Sequence, residues 1–235
     1  MKVGFISLGC CKNQLDTEVM LHHVAEAGYE ITPEDIEADV IIVNTCAFIE
    51  SAKKEAIDNI LDVAWLKEHR DLKAIIVTGC LAERYGEQII EEMPEVDAIL
   101  GTANYQDIVS AVERALQGEQ VELFTPLNRP VPELPRLVST APRWAYFRIA
   151  EGCDNHCAYC VIPSLRGKYR SRSMDAIVRE AEDLAAQGYK ELIIIAQDVT
   201  RYGEDLYGSK CLPTLLKRLC KIEGIRWIRL HYLYP

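Results

Sequence analysis

The chain has 235 residues, of which 49% are hydrophobic, enough for one large domain or two modest ones with their own cores. Its formal net charge of −10 argues against a bare nucleic-acid binder, which is usually basic. No signal-peptide core and no apolar run of membrane-spanning length is visible, so we expect a cytoplasmic protein with reduced thiols and no membrane partner. Nine cysteines in that setting indicate metal binding or catalysis rather than disulfides.

Residues 1–117 alternate predicted strands and helices, and we take them as the first domain. Apolar runs predict strands at 3–8, 39–45, 74–78 and 98–100. Helical spacing of apolar residues predicts helices at 15–27, 51–68, 84–92 and 106–116. This βα order predicts an α/β fold with a doubly wound parallel sheet.

A proline-rich stretch separates this domain from a second strand–helix series. Residues 118–142 hold half of the ten prolines, which predicts a partly extended interdomain linker. Within residues 143–235 we expect strands at 146–150, 191–196 and 225–230, a helix capped by Ser173 and a helix at 212–221. Three strand–helix (βα) units are too few to close a parallel barrel. We therefore expect an incomplete (βα) barrel, truncated after its third strand, and an N-terminal fragment of a longer protein.

A dense cysteine motif follows the first strand of this second series. Cys153, Cys157 and Cys160 place three thiols within eight residues. Such a loop can bind three irons of a cubane cluster and leave the fourth iron open to a small chelating molecule. The alternative is zinc, which prefers four closed ligands, and His156 is a cramped candidate for the fourth.

The Cys-x3-Cys-x2-Cys spacing resembles that of the radical S-adenosylmethionine (SAM) superfamily. The resemblance implies a [4Fe–4S] cluster, SAM on its open iron, and a 5′-deoxyadenosyl radical. It also places Tyr159, which precedes the last cysteine, near the adenine. Arg166 opens a basic run and is a candidate ligand of the SAM carboxylate, unless that run is a solvated loop. Gln197 and Asp198 end the second barrel strand, where catalytic residues of βα barrels commonly lie, or else they cap the next turn.

Three isolated cysteines each end a predicted strand of the first domain: Cys10, Cys46 and Cys80. The carboxyl ends of parallel strands gather along one edge, so the three thiols are expected to converge there on a second, auxiliary cluster. The alternative is that they are packing residues, since cysteine is often buried. Cys11 is a possible substitute for Cys10. The remaining two cysteines are interpreted as packing residues: Cys211 and Cys220.

A strand-end three-cysteine domain followed by a radical SAM domain resembles the methylthiotransferases. SLGCCKNQLDTE at 7–18, NTCAFIESAK at 44–53 and IRLHYLYP at 228–235 are similar to the RimO-like branch, although Cys11 stands where that branch usually has proline. The resemblance implies transfer of a methylthio group to the β-carbon of an aspartate in small-subunit ribosomal protein twelve. It also implies two [4Fe–4S] clusters, SAM, an electron donor and a sulfur source.

Two other functions compete with this interpretation. A transfer-RNA adenosine methylthiotransferase uses the same chemistry, but the acidic charge, Asp198 and the ending at 230–235 favour the RimO-like branch. The non-enzymatic alternative is a two-cluster electron carrier or iron–sulfur sensor. Carriers usually close each cluster with four protein ligands, whereas each set has three cysteines here.

Overall fold

The computed structural model describes residues 1–234, so Pro235, the last residue of the predicted barrel domain, lies outside the described residues. The chain forms two compact units. Unit 1 comprises Met1–Leu127 with Pro135–Leu137, and unit 2 comprises Asn128–Leu134 with the chain from Val138 onward. Over residues 1–234, no helix combines the length and the apolar character needed to cross a membrane.

Unit 1 is built on a six-stranded parallel sheet. Its strands are β1 (Lys2–Ser7), β2 (Glu30–Thr32), β3 (Val40–Thr45), β4 (Ala74–Gly79), β5 (Ala98–Leu100) and β6 (Val121–Leu123). Their order in the sheet is β2-β1-β3-β4-β5-β6. The chain adds β2 on one side of β1 and then β3 on the other, so the order reverses between β1 and β3. The predicted doubly wound sheet is confirmed, with its topological switch point at that pair.

Four helices connect these strands: α1 (Cys11–Glu26), α2 (Glu50–His69), α3 (Cys80–Glu92) and α4 (Ile108–Leu116). Every residue of β3 and β4 is buried, as expected for central strands covered on both faces. Helix α3 begins four residues before its predicted start, because Gly79 turns the chain directly from β4 into the helix. Tyr85 then interrupts α3 with non-helical backbone angles.

Two parts of the proline-rich stretch, up to Leu127 and Pro135–Leu137, belong to unit 1. Its first part forms β6, which pairs with β5 through Ala98 and Val121. Farther along, the backbone N–H of Leu137 donates to the carbonyl of Glu18 at 2.9 Å, and Arg136 forms an ion pair with the fully buried carboxylate of Glu18. The prolines of residues 118–142 begin only after β6. The proline content therefore predicted the extended part of this stretch but not the strand at its start.

The described residues of unit 2 form five strands: β7 (Trp144–Arg148), β8 (Ala150–Glu151), β9 (Arg170–Ser171), β10 (Glu191–Ile195) and β11 (Trp227–Leu230). Its helices are α5 (Ile162–Arg166), α6 (Met174–Ala186), α7 (Glu204–Tyr207) and α8 (Leu212–Leu219). Strands β11, β10 and β7 form a parallel sheet in that order, while β8 and β9 form a short antiparallel pair. Three parallel βα steps agree with the predicted partial (βα) barrel.

In unit 2, Ser173 caps a helix as predicted, whereas only one of the two predicted packing cysteines is packed. Ser173 caps α6, with its hydroxyl accepting from the backbone N–H of Ala176 at 3.2 Å, as predicted. Cys211 packs against the core of the unit, also as predicted, but Cys220 is exposed at the end of α8, so its interpretation as a packing residue was wrong. Helix α8 ends two residues earlier than predicted, which leaves Cys220 outside its buried face.

Candidate metal centres

Cys10, Cys46 and Cys80 follow three neighbouring strands of the unit 1 sheet, β1, β3 and β4. The structure therefore brings these three strand ends together at one edge, on both sides of the switch point. Ligands of doubly wound folds bind outside the carboxyl ends of the strands at this position. Cys46 and Cys80 are buried and Cys10 is exposed, and none of the three is in a disulfide among the described residues.

Glycines in the left-handed region turn the chain into two of these cysteines. Gly9 has φ +91° and precedes Cys10, and Gly79 has φ +92° and precedes Cys80. A Cβ on Gly9 would lie 2.7 Å from the Cβ of Cys46, so the Cys46 side chain rests against the Gly9 backbone. The turn that carries Cys10 and the side chain of Cys46 are thus in direct contact.

A single buried amide joins the three cysteine-bearing turns. The Nδ2 of Asn13 donates to the carbonyl of Leu8 at 3.1 Å and to the carbonyl of Thr45 at 2.7 Å. Its Oδ1 accepts from the Sγ of Cys80 at 3.8 Å. Leu8 precedes the Cys10 turn, and Thr45 directly precedes Cys46. Asn13, the third residue of α1 and fully buried, therefore fixes the spacing among all three turns.

Asn44 supports Asn13 from the neighbouring strand. Its Nδ2 donates to the backbone carbonyl of Asn13 at 2.8 Å and to Oγ1 of Thr17 at 3.0 Å. The Oδ1 of Asn44 is buried and has no hydrogen-bond partner among the described residues. It lies where a Cβ on Gly79 would approach within 2.3 Å, so only glycine fits at that position.

Cys153, Cys157 and Cys160 lie in the loop between β8 and α5 of unit 2. Gly152 has φ +74°, and a Cβ there would lie 2.1 Å from the carbonyl oxygen of Lys168. The next residue, Cys153, donates its backbone N–H to the carbonyl of Gly167 at 3.0 Å. The start of the loop is therefore clamped against the chain that leaves α5. Cys153 is buried, whereas Cys157 and Cys160 are half-buried.

The two residues after Cys153 anchor the loop to different elements. The carboxylate of Asp154 accepts the backbone N–H of Tyr169 at 2.9 Å. The side-chain Nδ2 of Asn155 donates to Oδ2 of Asp198 at 3.3 Å. The rest of the loop is open, and Tyr159 is 88% exposed. Sequence reasoning missed Asp154 and Asn155, although their position between two cysteines was a signal for a supporting role.

A buried carboxylate with two arginines lies directly before the loop. Oε2 of Glu151 lies 2.9 Å from Nη1 of Arg148 and 3.6 Å from Nη1 of Arg166, and Oε1 accepts the backbone N–H of Gly152 at 3.2 Å. Burial alone raises the pKa of Glu151, but Arg166 and Arg148 more than offset it, so its pKa lies below the ordinary value. Arg166 is only 3% exposed and supports the loop through this ion pair.

Asp198 lies three residues after the end of β10 at Ile195 and has several partners. Its Oδ1 accepts the backbone N–H of Thr200 at 3.0 Å and its hydroxyl at 2.5 Å, so it caps the turn Val199–Arg201. Its other oxygen binds Asn155, as described above. The capping role that was an alternative to catalysis is therefore present, together with a link to the cysteine loop. Gln197 is half-buried beside it.

The two cysteine sets fit a cluster better than a single metal ion. Burial raises the pKa of the Cys153 thiol, while the backbone N–H of Asn155 lowers it, and Cys160 and Cys157 are close enough to contribute. Over residues 1–234, no three His, Cys, Asp or Glu side chains are placed to bind one metal ion. A cluster binds each thiolate through a separate iron. The three thiols at neighbouring strand ends of unit 1 and the three thiols in the loop before α5 fit that requirement.

Two family models match the chain. One, described as uncharacterized protein family UPF0004, matches residues 2–101, and the other, the radical SAM superfamily, matches residues 147–233. The first match contains Cys10, Cys46 and Cys80, and the second contains Cys153 and its two companions.

Curated relatives match the chain over its whole length. The protein named ribosomal protein uS12 methylthiotransferase RimO from Lachnoclostridium phytofermentans is 51% identical over 237 residues, which cover 100% of this chain and 54% of the relative. Proteins of the same name from Clostridioides difficile and a Thermoanaerobacter species are 50% and 49% identical, each with 53% of its length covered. The chain thus spans about half the length of the curated relatives it matches.

Solved structures with a similar fold include two radical SAM enzymes. The methyltransferase TsrM from Kitasatospora setae, with cobalamin and a [4Fe–4S] cluster bound, gives a TM-score of 0.61 at 13% identity over 96% of this chain and 55% of that chain. The cobalamin-dependent enzyme OxsB gives 0.55 at 13% identity over 96% of this chain and 38% of its own. At this identity the likeness concerns the fold alone.

Proposed function

We propose that the chain belongs to the RimO-like family of radical SAM methylthiotransferases and that the protein adds a methylthio group to an aspartate β-carbon in small-subunit ribosomal protein twelve. The observation that carries the proposal is the meeting of three cysteine-bearing strand ends in unit 1, in a chain that also has the Cys153 loop. Sulfur insertion needs a second cluster besides the one that opens SAM, and these strand ends provide the thiols for it.

The two cysteine sets have separate roles in this proposal. Cys153, Cys157 and Cys160 hold one [4Fe–4S] cluster, and Cys10, Cys46 and Cys80 hold the other. When bound, the first cluster would supply the one-electron reduction that opens SAM, and the second would supply the sulfur of the methylthio group. An unactivated C–H bond is not acidic enough for general-base catalysis, which is why a radical cofactor is required.

The chain's own residues place these groups. The clamp at Gly152 and the anchors at Asp154 and Asn155 hold the first half of the loop, so the Cys153 thiol has a defined position. The exposed ring of Tyr159 offers an aromatic face on which an adenine can stack. We propose Arg166, Gln197 and Asp198 as residues near SAM, with Arg166 acting through the buried pair with Glu151.

The partners follow from the same chemistry. Reductive cleavage of SAM requires a one-electron donor, and sulfur insertion requires a sulfur source. We propose the cytoplasm as the compartment, where thiols stay reduced. The net charge of −10 is compatible with a protein substrate and less so with the phosphate backbone of transfer RNA, which is the competing substrate.

The first experiment counts iron after anaerobic reconstitution with iron and sulfide. The wild-type chain should bind about eight irons, as two cubane clusters require. The Cys153→Ala/Cys157→Ala/Cys160→Ala and Cys10→Ala/Cys46→Ala/Cys80→Ala variants should each bind about four. The Cys211→Ala/Cys220→Ala variant is the matched control and should keep the full content. If the wild-type chain binds only about four irons, and none after replacement of Cys153, Cys157 and Cys160, there is no second cluster. That result would contradict the proposed role of Cys10, Cys46 and Cys80 in sulfur insertion.

The second experiment separates the substrates. The reconstituted protein is incubated with SAM, a strong reductant and either ribosomal protein twelve or transfer RNA. Formation of 5′-deoxyadenosine and a methylthio mass gain on the ribosomal protein is the expected result. A gain on adenosine of transfer RNA would instead indicate the other branch, and failure to form 5′-deoxyadenosine would favour an electron carrier or sensor.

A further inference from the structure

The thiol of Cys153 differs from that of an exposed cysteine in its burial and in its hydrogen bonding. It is buried, and its Sγ lies 3.4 Å from the backbone nitrogen of Asn155, which donates an N–H···S hydrogen bond to it. A backbone donor at this distance stabilises negative charge on the sulfur. Its effect depends on how firmly the peptide of Asn155 is held, because the bond weakens steeply when the donor turns away.

The side chain of Asn155 is what holds that peptide. Its Nδ2 donates to Oδ2 of Asp198 at 3.3 Å. Asp198 is only 2% exposed, and its other oxygen is held by the backbone and hydroxyl of Thr200. The carboxylate is thus fixed just after β10, at the cap of the turn Val199–Arg201, and it holds Asn155, the second residue after Cys153.

Hydrogen bonds to the sulfurs are among the factors that set the reduction potential of an iron–sulfur cluster. A donor favours the reduced form, which carries more negative charge, and so raises the potential. The negative charge of Asp198 acts in the opposite direction. The geometry points to a positioning role: Asp198 and Asn155 form a pair that aims the N–H of Asn155 at Cys153 and thereby sets the potential of the cluster bound there. This inference rests on the proposed function, since it needs a cluster on Cys153, Cys157 and Cys160.

The test measures the midpoint potential of that cluster alone. All variants are made in the full chain carrying Cys10→Ala/Cys46→Ala/Cys80→Ala, reconstituted without SAM, and titrated while the electron paramagnetic resonance signal of the reduced cluster is followed. Asn155→Ala breaks the pair but leaves the charge of Asp198 in place. The Asn155→Asp/Asp198→Asn double variant exchanges donor and acceptor, keeps the charge of the pair, and can re-form the hydrogen bond. Asp175→Asn is the control, because Asp175 is exposed and pairs with Arg218 on α8.

We expect Asn155→Ala to keep its iron and to shift the midpoint to a more negative potential. The double variant should return it toward the starting value, and Asp175→Asn should leave it unchanged. An unchanged midpoint in Asn155→Ala, or a double variant as negative as Asn155→Ala, would overturn the inference. If Asn155→Ala binds no iron, recovery of iron by the double variant supports the pair, and failure to recover it counts against the pair.

These results are distinguishable from failure of the proposed function. A background chain that binds no iron at Cys153, Cys157 and Cys160 would overturn both the function and the inference. The inference alone would be overturned if the background chain binds iron and cleaves added SAM, but its midpoint potential does not change when Asn155→Ala is added. The proposed function would then still stand.

Discussion

The side-chain oxygen of Asn13 lies 3.8 Å from the Sγ of Cys80, while the nitrogen of the same amide donates to the backbone of Thr45 at 2.7 Å. Both carbonyls that this nitrogen binds, those of Thr45 and Leu8, require a donor, so the orientation of the amide is fixed and its oxygen faces Cys80. One side chain thus connects the strand end before Cys46 with the thiol at the start of α3.

Replacing Asn13 should therefore disturb the unit 1 site more than an ordinary amide replacement would. Asn13→Ala leaves the buried carbonyl of Thr45 and the partly buried carbonyl of Leu8 without their donor, and we expect a loss of about 2–3 kcal/mol in the free energy of unfolding. We also expect loss of the irons bound by the unit 1 cysteines. Urea unfolding and iron analysis measure the two effects.

Asn59→Ala is the matched control for that variant. Asn59 is on the outer side of α2, where its amide donates to the carbonyl of Glu55 at 2.8 Å in an exposed position. Its replacement should change the unfolding free energy by no more than about 0.5 kcal/mol and leave the iron content intact. Equal iron content in Asn13→Ala and Asn59→Ala would show that Asn13 does not position the cysteines.

The convergence of Cys10, Cys46 and Cys80 could be predicted because it follows from topology. Continuous apolar runs such as Val40–Val43 identify buried parallel strands, and parallel strands end at a common edge. The contacts of Asn13 with three turns could not be predicted in the same way. They depend on the register of β1 with β3 and of β3 with β4, which pairs Ser7 with Asn44 and Thr45 with Gly79.

The strands that sequence reasoning missed are short and lie at the edges of the unit 1 sheet. β2 and β6 have three residues each, too few for a periodic pattern. Their pairing is decided by the neighbouring strand, as when Lys2 of β1 pairs with Glu30 and Ala98 of β5 pairs with Val121. In unit 2 the strand predicted at 146–150 is divided, because Ala150 leaves the parallel sheet and pairs with Ser171 of β9.

Gly79 offers a test of the turn that leads into Cys80. Its φ is +92°, and a Cβ would lie 2.3 Å from Oδ1 of Asn44 and 2.6 Å from the carbonyl of Thr45. Gly79→Ala therefore combines a left-handed backbone with a steric clash, and we expect a loss of about 3–5 kcal/mol in the free energy of unfolding.

Gly118→Ala separates these two causes. Gly118 has φ +80° but nothing within 4 Å of the position where its Cβ would lie, so it carries the backbone strain alone. Its loss should be about 1–2 kcal/mol. Urea unfolding of both variants is the measurement, and a loss in Gly79→Ala no larger than that in Gly118→Ala would contradict the close packing at Asn44.

Ser173 tests a local prediction that the structure confirms. Its hydroxyl accepts the N–H of Ala176 at the start of α6, and Ser173→Ala should cost about 1 kcal/mol of stability. Ser173→Asp keeps an acceptor at the cap and should lie within about 0.5 kcal/mol of the wild type. Thermal unfolding can compare the three proteins, and equal losses in both variants would mean that the hydroxyl does not act as a cap.

Glu151 is a position where a single change of charge should strongly destabilise unit 2. Its buried carboxylate lies between Arg148 and Arg166, and Glu151→Gln leaves both guanidinium groups without a negative partner at this point. Removing one member of a buried ion pair is strongly destabilising, and we expect a loss of about 3 kcal/mol in the free energy of unfolding.

The control for Glu151 is Glu204→Gln. Glu204 pairs with Arg201 at 2.8 Å near the surface, where an ion pair contributes about 0–1 kcal/mol. Urea unfolding at neutral pH should therefore separate the two variants clearly. Since Oε1 of Glu151 also accepts the N–H of Gly152, which turns the chain into Cys153, Glu151→Gln should in addition lower the iron bound by the Cys153 loop relative to Glu204→Gln. Equal stability and equal iron content in the two variants would show that the buried ion pair supports neither the unit nor the loop.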